Sequence, residues 1–235
     1  MFHPADFELF EPRFQGDVEW NQRRLDVRHR LQAFGDRLAE EFGGLGIGLD
    51  RRESLHHPHH TNRKRVARQR TMLFRDKKAR KALQSFLGKE LGKDLGSALN
   101  NAHFQLVIDD KECRWGLRLD AGAWYDLNVL LKRCEEEPGR AEVVRACAAA
   151  PGFALEVDGR GARPFESMST RDWRDLAGLL RPGESALEVV ARMDKAAVVA
   201  AGEDFAEGVA ADLLRLAPFY RLATWTLDSP SGASV

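Results

Sequence analysis

The residues best able to do chemistry lie between Arg51 and Ala82. This stretch, RRESLHHPHHTNRKRVARQRTMLFRDKKARKA, sets twelve Lys or Arg against only Glu53 and Asp76, a local charge of +10. The whole chain balances 36 basic against 36 acidic residues, so the remainder carries −10. Such polarisation in a neutral protein points to an anionic counterpart: phosphate, nucleic acid or an acidic protein face. Within residues 63–81 the candidate phosphate contacts are Arg65, Arg68, Arg70, Arg75 and Lys77, joined by Arg118 from a later segment. A guanidinium offers a planar fork of donors matched to phosphate oxygens, and arginines two apart on a strand share a face. The opposing reading is internal pairing with the protein's own acids, or with those of a second subunit, such as Glu135, Glu136 and Glu137.

Other residue types suggest other chemistries. His56, His57, His59 and His60 flank Pro58, and imidazoles are good ligands for zinc or nickel. No HExxH or CxxC accompanies them, so they read as a solvated His-rich loop with no metal or cofactor. Asp109, Asp110, Lys111 and Glu112 have the types of a metal-dependent nuclease, but their tight-turn position explains them equally well. His103 as acid or base beside Arg68 and Arg70 would make a metal-independent phosphodiester- or phosphate-cleaving enzyme, the alternative to a binding module. Walker A, GxGxxG and GxSxG motifs are absent. Cys113, Cys134 and Cys147 fall on apolar faces and read as buried thiols of a reduced, cytoplasmic protein. Phe74 is the single aromatic in the basic stretch, which favours contact with a nucleic-acid backbone over base stacking. A third reading is a protein-interaction subunit docking an acidic partner, as a homo-oligomer or within a larger bacterial complex.

These residues need elements to hold them. Asp17 caps a helix whose Val27, Leu31, Phe34, Leu38 and Phe42 recur at spacings of three and four, ending at Gly43 and Gly44. Asp50 to Asn62 reads as a loop. Arg65 to Phe74 reads as a strand with Val66, Arg68, Arg70, Met72 and Phe74 on one side and Ala67, Thr71 and Leu73 on the other. A helix follows Asp76. His103 to Leu119 is a hairpin around DDKE, pairing Ile108 with Cys113, Leu106 with Trp115 and Phe104 with Leu117. The same register sets His103 opposite Arg118 and Val107 opposite Arg114 on the outer face. Further helices are expected at Trp124–Cys134, Ala141–Ala150, from Thr170, and at Asp204–Leu216, with a second hairpin after Phe153. Leu187 to Met193 fits a strand or a helix. The pattern is α+β, an antiparallel sheet with packed helices in a single domain over residues 1–228, and 229–235 a disordered tail. A 43% hydrophobic, 31% charged composition suits a globular chain, and no window supplies the ~18 apolar residues of a membrane span. The start, MFHPADFELF, lacks signal-peptide order.

The succession of features resembles a known family. A first helix with Trp20, Asn21, Arg23 and Arg24 precedes RQRTMLFRDKKARK. A hairpin ending in RWGLRL, then APGF and LLRLAPFYRLATW, follow. This order resembles the DUF2461 family of uncharacterised bacterial proteins and, more distantly, YktB-like proteins. Arg70, Phe74, Asp76, Lys77 and Lys81 stand where that family's Arg-rich run has its Arg, Phe, Asp-Lys and final Lys, while Leu73, Ala79 and Arg80 depart from it. The resemblance implies an α+β fold and transfers no activity.

Overall fold

The alternation between His103 and Leu119 forms the expected hairpin, residue for residue, and the rest of the molecule is built outward from it. The structure is a computed structural model that describes residues 1–227; the expected tail, 229–235, lies outside the described residues. Seven strands form one sheet: β1 (Leu49–Glu53), β2 (Arg68–Arg75), β3 (His103–Asp109), β4 (Glu112–Leu119), β5 (Ala154–Val157), β6 (Arg160–Pro164) and β7 (Leu187–Asp194). Their order is β1-β2-β3-β4-β7-β5-β6, and every pair is antiparallel. Among the described residues nine α-helices accompany the sheet: α1 (Pro4–Glu8), α2 (Asn21–Gly44), α3 (Lys77–Leu91), α4 (Trp124–Glu135), α5 (Glu137–Ala148), α6 (Thr170–Leu179), α7 (Lys195–Ala201), α8 (Asp204–Arg215) and α9 (Ala217–Ala223). This is an α+β domain. No helix among the described residues is long and apolar enough to cross a membrane.

The helices collect on one face because one parity of β2, β3, β4, β5 and β7 is largely apolar. Leu73, Phe104, Leu106, Ile108, Cys113, Trp115, Leu117, Leu155, Leu187 and Val189 enter one buried cluster. The stripe of α2, Val27, Leu31, Phe34, Leu38 and Phe42, joins it, with Phe42 stacked on Phe104. At roughly 25 cal/mol per Å² of apolar surface removed from water, this face is the main source of stability. The other parity is largely polar across the central strands and carries no helix layer among the described residues. The segment around Ala98 folds over one corner, packing on Met72 and Phe74, and the Arg80 guanidinium lies over the Phe74 ring.

Several boundaries differ from expectation. Residues 50–53, expected as the start of a loop, belong to the edge strand β1, whose charges mask a two-residue alternation. The basic strand starts at Arg68 rather than Arg65. Residues 60–62 form a 3₁₀ turn, and Arg63 and Lys64 adopt positive φ, which ends any extended run there. Asp17 caps a 3₁₀ turn that leads into α2, and the left-handed residue after α2 is Gly46 rather than Gly43 or Gly44. Helix α5 begins at Glu137, before the expected Ala141, because Pro138 in a first turn costs no hydrogen bond. Ser169, not Thr170, caps α6. The ambiguous segment from Leu187 is a strand, which its pairing with both β4 and β5 decides.

Candidate anion-binding site

The polar parity of β2, β3, β4 and β7 assembles a site from residues scattered over 120 positions of sequence. Pairing of β2 with β3 puts Arg70 opposite Val107 and Arg68 opposite Asp109. Pairing of β3 with β4 puts Val107 opposite Arg114 and His103 opposite Arg118, and β7 adds Glu188 opposite Arg118. A polar cavity of about 190 Å³ opens on this face, walled by Arg68, Arg70, Gln105, Arg114, Arg118, Asp120 and Glu188 with Val107 and Leu99. Gly116, between Arg114 and Arg118 on the same parity, cannot carry a Cβ, which would lie 1.9 Å from the Val189 carbonyl oxygen.

The arginines of this wall are of two kinds. Arg118 is saturated: its Nη1 lies 2.5 Å from Glu188 and its Nε donates to Asp120 at 2.7 Å. Burial works to lower its pKa, but those two carboxylates outweigh it and raise it. Arg114 lies 3.7 Å from both Asp109 and Glu112. Beyond the cavity, Arg192 makes a two-pronged pair with Glu156, both contacts at 2.9 Å. By contrast, Arg68 and Arg70 have no carboxylate within ion-pair distance among the described residues. Arg70 donates to Gln105 Oε1 at 3.3 Å, and Gln105 in turn donates to Glu188 at 2.8 Å, which fixes the amide's orientation. Desolvation lowers the pKa of both arginines; Arg114 and Arg118 add repulsion at Arg68, and Arg68 does so at Arg70. Two cations thus sit side by side without a direct ion pair, although Asp109 and Glu188 act on Arg68, and Asp120 on Arg70, from further off.

His103 lies fully buried at the edge of this constellation. Its Nδ1 is 3.0 Å from the Asn101 carbonyl oxygen, and its Nε2, 4.0 Å from Asp120 Oδ2, has no hydrogen-bond partner. Burial pulls its pKa down to about 4, assisted by Arg70 and Arg118 and opposed by the Asn101 bond and Asp120.

The expected site residues therefore separate. Arg68, Arg70 and Arg118 come together, with His103 adjacent. Arg65 lies exposed in the loop before β2. Lys77 sits at the start of α3, beyond the far end of the strand. Arg75 corrects the expectation outright: its odd parity turns it to the opposite face. There it lies buried, 2.5 Å from Asp126, and also donates to the Trp225 carbonyl. Asp126 further accepts the backbone N–H groups of Ala102 and Trp225. This is a structural pair closing the sheet end on α4. Internal pairing also takes up Arg51, held by Asp36 and Glu53, and Arg80, held by Asp50 at 2.7 Å.

Gln105, Asp120 and Glu188 were missed by sequence reasoning. Asp120 shares parity with Arg118 one step beyond the strand and was within reach; Glu188 was not, since its strand joins β4 across 70 residues. Among the described residues no group of three or more His, Cys, Asp or Glu is placed to hold a metal ion. The three cysteines are buried and unpaired, and burial raises all three thiols, Cys134 to about 11 and Cys147 to about 12. Compared with models of known protein families and with curated proteins, the chain matches none.

Proposed function

We propose that this protein is a binding module for a phosphate-bearing ligand, received by Arg68 and Arg70 on the open face of the sheet. The observation that carries the reading is that these two arginines, alone of those on the wall of this polar cavity, make no direct ion pair among the described residues. Arg68 is exposed and Arg70 half-buried, so both guanidinium forks can be reached from solvent, and an oxyanion bridging them would form charge-assisted hydrogen bonds to both. The size of the cavity bears on the ligand. About 190 Å³ holds roughly six waters at ~30 Å³ each, less than the ~300 Å³ where drug-sized sites begin. It suits one phosphate and a few attached atoms better than a polymer. A backbone track would need Arg75 and Lys77 in line, whereas Arg75 is buried against Asp126 and Lys77 lies on α3 beyond the strand. Catalysis by His103 draws less support, because that imidazole is sealed from solvent and its proton affinity is low. The buried, unpaired thiols suit a reducing, cytoplasmic setting.

Thermal-shift and calorimetric titration with inorganic phosphate, small phosphate esters, and RNA and DNA oligonucleotides at two salt concentrations tests the proposal. Phosphate or an ester should raise the melting temperature of the wild type and not of an Arg68→Gln/Arg70→Gln variant. Binding should weaken as salt rises. Absence of any phosphate, ester or oligonucleotide binding at low salt sinks the reading, and a strong preference for oligonucleotides replaces the small ligand with a polymer.

A further inference from the structure

We infer that the ligand presents a terminal phosphate, a dianionic monoester gripped by Arg68 and Arg70 together, and that the site discriminates against phosphodiesters. This rests on the anion-binding reading above and names the class of ligand that the same site takes. The two arginines stand two apart on β2, so both side chains rise from one face with their Cα atoms about 7 Å apart at ~3.4 Å per residue. Both line the cavity, Arg68 exposed and Arg70 half-buried. Gln105 takes one hydrogen from Arg70 Nη1 and leaves the Nε–Nη2 edge of that guanidinium without a partner among the described residues. From these two roots the forks approach one phosphorus from different sides.

Counting oxygens decides what that phosphorus carries. A guanidinium fork engages two oxygens at once, along a single O–P–O edge. A diester has two terminal oxygens and so one such edge, which seats one fork. A monoester has three terminal oxygens and three edges, so two forks fit and share an oxygen. Charge leads to the same class. The other arginines of the wall already face carboxylates, Arg118 those of Asp120 and Glu188, and Arg114 those of Asp109 and Glu112. Arg68 and Arg70 are two cations without such a pair among the described residues, which matches the double charge of an ionised monoester and not the single charge of a diester. The same chemistry has two sources, a small ester or the 5′-phosphorylated end of a nucleic-acid strand, and Arg63, Lys64 and Arg65 stand exposed just before Arg68 to meet the latter.

The test is calorimetric titration of the full chain at low salt and pH 8, where a monoester with its second pKa near ~6 is doubly charged. The ligands are ethyl phosphate, diethyl phosphate, and one oligonucleotide with and without a 5′-phosphate. Ethyl phosphate should bind at least about tenfold more tightly than diethyl phosphate, the effect of one charge-assisted hydrogen bond. Arg68→Gln leaves one fork and one unpaired charge, so that preference should fall to about threefold or less. Arg68 is exposed, so the variant should fold, as a melting curve will verify. A wild-type preference below about tenfold, or one that survives Arg68→Gln, overturns this inference and leaves the anion site standing. With the preference upheld, tighter binding of the 5′-phosphorylated strand assigns the phosphate to a strand end, and equal binding of the two strands assigns it to a small ester. Failure of every compound to bind overturns both readings.

Discussion

Replacing His103 by asparagine should flatten the acid side of the protein's stability curve. Asparagine keeps an N–H near the position of Nδ1, and so the bond to the Asn101 carbonyl, but removes the titrating ring. An unfolded histidine takes its proton near pH 6.5, whereas the folded state holds this one to about 4. Above pH 6.5 both states are neutral and His103 adds no slope. Between 6.5 and 4 the unfolded chain gains a proton that the native state refuses, so wild-type stability falls with pH by up to ~1.4 kcal/mol per unit. The whole window amounts to about 3 kcal/mol, and below pH 4 the loss is complete. Against a typical stability of about 5–15 kcal/mol that is a large share. Urea unfolding of wild type and variant at pH 7, 6, 5 and 4 reads the effect as a difference of two curves, which cancels other groups. The variant starts less stable at pH 7 and the gap closes by about 3 kcal/mol by pH 4. Parallel curves would refute the reasoning. They would mean that the native imidazole accepts its second proton on Nε2 and pairs with Asp120.

Other perturbations separate framework from site. Arg75→Met should destabilise the chain by about 3–5 kcal/mol in urea unfolding, because it strands Asp126 in a buried setting, and adding Asp126→Asn should recover part of the loss. Gly116→Ala drives a methyl into the Val189 carbonyl, so the β4–β7 pairing must open. A loss of at least about 1–3 kcal/mol, with faster amide exchange along β7, is expected, and a neutral result would show that the strands relax freely. Arg118→Met should cost stability even without ligand, since it leaves Asp120 and Glu188 facing each other; an unchanged melting temperature would place Arg118 with the free arginines instead.

How much of this was legible in the sequence depends on how local each interaction is. The β3–β4 register follows from a tight turn and strict alternation, so the placement of His103 opposite Arg118 could be read directly. The parity of Arg68 and Arg70 was equally plain. Arg75 shares their charge but not their parity: its odd spacing from Arg70 turns it to the other face, which the period of the strand shows and its composition does not. The strand at Leu49–Glu53 was hidden because an edge strand with charges on both sides loses the apolar signature of a half-buried one. Glu188 was beyond reach for a different reason. Its position depends on β7 crossing between β4 and β5, a long-range choice made by packing rather than by nearby residues.

The two ends of the sheet also bear on how the molecule behaves in company. An edge strand presents unpaired backbone groups that can template a foreign strand. One edge here is β6, exposed throughout, with Arg160 and Arg163 along it and Pro164, which has no N–H to offer, at its end. The other is β1, where Asp50, Arg51, Arg52 and Glu53 follow one another. Both edges thus carry the features that discourage strand addition and fibril growth. A concentrated solution should therefore resist edge-to-edge aggregation.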